Sequence, residues 1–198
     1  MNHWKRAGQY PDSVTRLCED AGISEGEFFK MFPSLEAVES AHWVRALDGV
    51  IARVQADEDW EGFSAKQRLL LFLFAFVEDA LAFRSTLLLR FSGLKGFENP
   101  RALRKFEGRF KSFAEDLMVR GEETGEIAER GPVGRLYPGG MYLHFRSVIA
   151  FYLNDESEAY ERTDAFIEKT VHFAFDLVGK TAADSAADLV RFFVPRRC

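Results

Sequence analysis

Apolar residues recur along this chain at helical spacing, with short polar or glycine breaks between the stripes. In Ser13 to Ala37, SVTRLCEDAGISEGEFFKMFPSLEA, the residues Val14, Leu17, Cys18 and Ala21 fall on one helix face. Gly22 supplies the positive φ that ends such a helix, and Ser24 with Glu27 forms an S-x-x-E capping box that begins the next. That second helix carries Phe28, Phe29 and Phe32 before Pro33 stops it. Helix, tight turn and helix predict a helix-turn-helix.

Ser34 is an N-cap for a longer stripe, Leu35 to Gln55, in which Val38, Ala41, Val44, Leu47, Val50 or Ile51, and Val54 are apolar. It predicts a connector between a small module and a larger one. Ala56 to Phe63 reads as a loop. A second capping box, Ser64 with Gln67, opens a helix from Ala65 to about Phe83 that is apolar on nearly every side and suits the centre of the larger domain. A short helix follows within Arg84 to Gly96. Asn99 as cap and Pro100 at the first helical position then launch a helix striped by Leu103, Phe106, Phe110, Phe113 and Leu117, giving way near Gly121.

Gly125 to Gly140 holds five glycines and two prolines and reads as a surface connection or lid. The helix from Tyr137 or Met141 to Leu153 is apolar almost all round, so it needs cover on two sides, and a symmetry-related subunit is the economical second cover. Thr163 to Val178 places Phe166, Thr170, Phe173 and Leu177 on one stripe, and a last helix is expected from Thr181 to Pro195. The expected dimer interface is Ile149, Phe151, Tyr152, Phe166, Thr170, Phe173 and Leu177. The fold class is therefore all-α, with a helix-turn-helix module over 1–45 and a helical ligand-binding and dimerisation domain over 46–198.

The run Leu17-Cys18-x-x-Ala21-Gly22-Ile23-Ser24-x-Gly26-x-Phe28-Phe29-x-x-Phe32-Pro33-Ser34-x-Glu36-Ala37 resembles the N-terminal DNA-binding segment of TetR-family regulators. The resemblance implies an all-helical homodimer whose N-terminal helices hold DNA and whose larger domain holds a small molecule. It also implies a full helix ahead of the helix-turn-helix, for which Pro11 leaves only Met1 to Ala7.

Composition adds a ligand expectation. The chain has 20 Phe among 198 residues, enough aromatic mass to fill a core or line an apolar cavity, each buried ring contributing roughly 1.5–3 kcal/mol. Phe72, Phe76, Phe83, Phe106, Phe110, Phe113, Tyr142 and Phe145 come from helices that converge on one interior, and they are the expected ligand-binding set for a flat or long apolar molecule. Glu78, Arg84, Arg90, His144 and Arg146 could orient it, although Glu78 also suits an internal ion pair with Arg84 or Arg146.

Charge complicates the DNA expectation. The net charge is −5, and up to Glu36 the cations Lys5, Arg6, Arg16 and Lys30 face the acids Asp12, Glu19, Asp20, Glu25, Glu27 and Glu36. Phosphate contacts supply most DNA affinity, so this balance has the wrong sign. The candidate DNA-contact residues are Arg16, Ser24, Glu25, Glu27 and Lys30. Glu25 and Glu27 complement a helix N-terminus, and a glutamate can also accept from cytosine N4. In the resembled family Met31 stands where Tyr is frequent and Leu35 where Lys is frequent.

No catalytic or metal signature accompanies these features. His3, His42, His144 and His172 have no metal-ligand spacing, and Gly179-Lys180-Thr181 lacks the upstream glycine of a phosphate loop, Ala174 standing there instead. No enzyme activity, metal or cofactor is expected. Two cysteines, Cys18 and Cys198, fit a reducing cytoplasm. The longest apolar run, Leu69 to Val77, is too short for the roughly 20 residues that span a bilayer. The expected protein is a cytoplasmic, homodimeric, ligand-responsive transcriptional regulator. The alternative is a protein of the same fold that carries or senses an apolar, lipid- or quinone-like ligand without binding DNA.

Overall fold

Helix α1 spans Val14–Ala21 and α2 Glu25–Met31; the long α3 follows at Leu35–Gln55. Then come α4 at Ala65–Ala80, α5 at Arg84–Phe91, α6 at Arg101–Thr124, α7 at Tyr137–Leu153 and α8 at Glu161–Val178. Short 3₁₀ turns occupy Trp60–Gly62, Leu81–Phe83, Gly131–Leu136 and Glu158–Tyr160, and no strand occurs among the described residues. This computed structural model describes residues 11–92, 94, 99–128 and 131–179. The helix expected from Thr181 to Pro195 and the segment Met1 to Ala7 lie outside them.

Local chemistry sets most boundaries. Ser13, Ser24, Ser34 and Ser64 each accept a backbone N–H at the start of a helix, and both predicted capping boxes are closed in both directions. Gly22 ends α1 with φ 68°, in the left-handed region where a side chain would be strained. Glu126 reaches back to the start of α4, accepting from the N–H groups of Ala65 at 2.7 Å and Lys66 at 3.1 Å. A carboxylate there complements the positive end of the helix dipole.

Three expectations need correction. Asn99 does not cap α6: Pro100 takes the N-cap position and Arg101 is the first helical residue, while the Asn99 side chain turns to Glu107. The helix runs through Gly121 to Thr124 and stops at Gly125, whose φ is 75°. The expected surface connection after it is partly internal, because Ile127 and Ala128 are buried and the Ala128 N–H donates to the Val178 carbonyl at 2.9 Å. Proline is tolerated near the first turn of a helix, which is why α7 already begins at Tyr137.

Helices α3, α4, α6, α7 and α8 enclose one apolar core. Its centre is a stack of rings: Phe110 on Phe145 at 4.6 Å between centroids and 13° between planes, Phe76 edge-on to Phe145 at 4.7 Å, and Phe72 against Phe113 at 4.9 Å. Trp43 of α3 meets Phe91 and Phe106, and so joins the connector to this stack. Offset and edge-to-face arrangements of this kind add about 0.5–1.5 kcal/mol per pair beyond area burial.

Candidate functional site

The helix-turn-helix face is built by α1 and α2. Phe28 and Cys18 are buried at its base, whereas Glu25, Glu27, Phe29, Lys30 and Met31 of α2 are exposed. Among the described residues, Arg16, Ser24, Glu25 and Glu27 each have an intramolecular partner. Ser24 and Glu27 close the capping box, the Glu27 carboxylate accepting from the Ser24 N–H and hydroxyl at 2.8 Å each, which lowers its pKa. Thr15 donates its hydroxyl proton to Glu25 at 2.5 Å, and Arg16 pairs with Asp12 at 3.6 Å. Glu25 and Glu27 thus hold the turn together while leaving their charge on its outer face.

The connector α3 is braced to three helices of the larger domain. Near its start, Glu39 is buried and receives both the Arg90 guanidinium of α5, through Nε and Nη2, and the Trp43 Nε1–H at 3.0 Å. Midway, Asp48 accepts from Arg109 of α6 at 2.6 Å. Near its end, Arg53 donates to Glu78 and to the Ala75 carbonyl of α4, both at 2.7 Å. Glu78 therefore pairs with Arg53, not with Arg84 or Arg146; Arg84 instead donates to the Leu153 carbonyl at 3.0 Å and lies over the Tyr152 ring.

The aromatic set expected to line a ligand site is packed together. Phe72, Phe76, Phe106, Phe110, Phe113, Tyr142 and Phe145 are buried against one another, Phe83 packs half-buried at their edge, and none of the eight lines a described cavity. Ring-to-ring contact fills the volume that a ligand would need. Space lies beside this cluster. A cavity of about 210 Å³ opens between α4, α6, α7 and α8, walled by Leu69, Met118, Tyr137, Gly140, Met141, His144, Ala174, Phe175 and Val178, with Leu136 and Leu177 at its lip.

Among the described residues that line it, His144 and Tyr137 carry the polar side chains. His144 pairs through Nε2 with the Thr170 hydroxyl at 2.7 Å, and that hydroxyl gives its own proton to the Phe166 carbonyl at 2.7 Å. Nε2 is therefore the donor, and burial lowers the pKa of His144, so the ring is neutral and Nδ1 is its acceptor. The Tyr137 hydroxyl is buried without a hydrogen-bond partner among the described residues. Gly140 has no positive φ and nothing within 4 Å of the place a Cβ would occupy. Neither backbone nor packing requires a glycine there, although it costs a helix about 1 kcal/mol relative to alanine. The helical start of α7 hid this wall from sequence reasoning; the Gly139-Gly140 pair ahead of an apolar run was the available signal.

The expected dimer set divides in two. Ile149 and Tyr152 are buried in the chain's own core. Phe173 and Leu177 are exposed, Phe151 and Phe166 stack at 4.4 Å and are half-buried, and Thr170 is engaged by His144.

These features define an all-helical protein in which two short helices, joined by a tight turn, precede the long α3 and the helices packed against it. The model of the tetracycline repressor-like C-terminal domain matches residues 68–193, which is more than half of the chain, and the protein belongs to that family. No curated protein and no solved structure matches the chain.

Proposed function

We propose that the protein is a homodimeric, ligand-responsive transcriptional regulator of the tetracycline-repressor type, acting in the cytoplasm, with a DNA-binding module over residues 1–45 and a ligand-binding and dimerisation domain beyond it. The observation that carries this reading is the braced connector. Because Glu39, Asp48 and Arg53 tie α3 to α5, α6 and α4, a shift of those helices moves α1 and α2 with it. Two modules in a dimer would then change their separation and their fit to two half-sites. Exposed Phe173 and Leu177, with the Phe151–Phe166 stack beside them, support a partner on the α7–α8 face. Among the described residues no helix is long and apolar enough to cross a membrane.

Selection from a random duplex library, followed by fluorescence anisotropy over a salt series, tests the DNA half. A DNA-binding dimer yields an enriched, two-fold symmetric sequence and loses affinity steeply as salt rises. Absence of any complex at low salt rejects it. The second reading, an apolar-ligand carrier or sensor without DNA binding, is favoured by the exposed Glu25 and Glu27 on α2. Native mass spectrometry that retains an apolar molecule, together with no duplex complex at any salt, supports that alternative.

A further inference from the structure

We propose that residues 189–197, which lie outside the described part of the chain, dock back onto their own chain in the groove between the end of α3, the end of α4 and the start of α8. The inference goes beyond the regulator reading and needs neither DNA nor a ligand.

The groove has room and an apolar floor. It measures about 490 Å³, and Val54 of α3, Leu71, Phe74 and Val77 of α4, and Leu81 just after α4 line it. Leu81 is 52% exposed, while Leu71 and Phe74 are half-buried, so apolar surface is left uncovered there. The facing wall is Ala159 and Tyr160, non-glycine residues held at φ 48° and 61°. Packing fixes that wall: the Tyr160 ring lies 5.0 Å from Tyr152, and the Arg84 guanidinium sits over both rings. The rim is acidic. Asp57, Glu78 and Asp164 stand on it beside Arg53, which is already paired with Glu78 and Asp79.

The end of the chain carries the complementary chemistry. Ala186, Leu189, Val190 and Phe193 recur at i, i+3, i+4 and i+7, which is one apolar stripe on a helix. Arg191, Arg196 and Arg197 add positive charge, and residues 189–197 include no acid. A basic amphipathic segment laid into an apolar groove with a carboxylate rim satisfies both kinds of contact. Length selects this occupant. Helix α8 ends at Gly179, and from Val178 back to Asp164 it runs about 21 Å at the helical rise. Residues 181–193, which their spacing predicts to be helical, run about 20 Å. A short reversal at Gly179 and Lys180 therefore returns Phe193 to the level of Asp164, beside the groove. Tethering gives the segment a high effective concentration there, so a modest fit suffices. Docked in the groove, it covers Val54 and fastens the end of the connector to α4 and α8.

The test uses the full chain carrying a nitroxide on Cys198, Cys18 being buried and spared. It reads the methyl resonances of Val54, Leu71 and Leu81, with Val14 of α1 as the control. The three groove signals are expected to be lost while Val14 persists, and to return when the nitroxide is reduced. Leu189→Asp together with Phe193→Asp should restore the groove signals, and Asp57→Lys together with Asp164→Lys should restore them in part. The remaining methyl spectrum shows that each variant is folded. The proposal is overturned if the nitroxide leaves the groove signals intact, or if their loss is unchanged by either pair of substitutions. It is equally overturned if the loss appears only when nitroxide and isotope label are on different chains, since the segment would then dock on a second copy.

Discussion

Two neighbouring volumes in the larger domain, both walled by α4, α6 and α7, have opposite uses. In one, Phe72, Phe110, Phe113 and Phe145 meet ring on ring and leave no room. In the other, Leu69, Met118, Gly140 and Met141 border about 210 Å³ of open space. Large rigid rings close a gap by stacking, whereas the open space ends at Gly140, which is exposed at its edge. Aromatic abundance is therefore a mark of stability in this chain, and the open space sits beside the ring stack.

Substitutions can break or sharpen that contrast. The largest effect is expected from Phe110→Ala, which removes a fully buried ring from the stack and should cost about 3–5 kcal/mol in urea unfolding. A loss below about 1 kcal/mol would mean that the cluster already contains free volume. Met141→Ala at the cavity wall should cost only about 1 kcal/mol by the same measurement, since one side of Met141 already faces space. Gly140→Ala should stabilise by up to about 1 kcal/mol, because the added methyl meets nothing and relieves the helix penalty of glycine. A destabilised Gly140→Ala protein would show that the position is tighter than described.

The smallest effect concerns pH. Burial depresses the His144 pKa below its ordinary 6.5, so between those two values the unfolded chain binds more protons than the folded one. The stabilisation is then complete above pH 6.5 and declines as the pH falls toward the folded pKa. His144→Leu should flatten that part of the stability profile; an unchanged slope would place the sensitivity elsewhere.

The helix-turn-helix was readable in advance because its determinants are local. Ser24, Glu27 and Gly22 act within three or four residues of one another, and the bonds they form are those their spacing required. The stripe of α6 was equally legible as a buried face. What periodicity cannot reveal is whether two buried faces touch or leave a gap, since this depends on partners far along the chain. Arg90 is 51 positions from Glu39, and Glu78 found Arg53 across 25, so these pairs carried no local signature. Helix α7 reads as apolar all round, and periodicity alone does not tell that Ile149 and Tyr152 lie on its buried side. The run of glycines and prolines before Met141 read as a connection, and it concealed a helical turn with the cavity wall inside it.

The most direct test of the contrast between filled and open volume is a crystal of the protein pressurised with xenon, which enters apolar space that no side chain occupies. A xenon atom is expected beside Gly140, between α4, α6, α7 and α8, and none within the Phe72–Phe110–Phe145 stack. Xenon among those rings, or a cavity beside Gly140 that takes none, would contradict it.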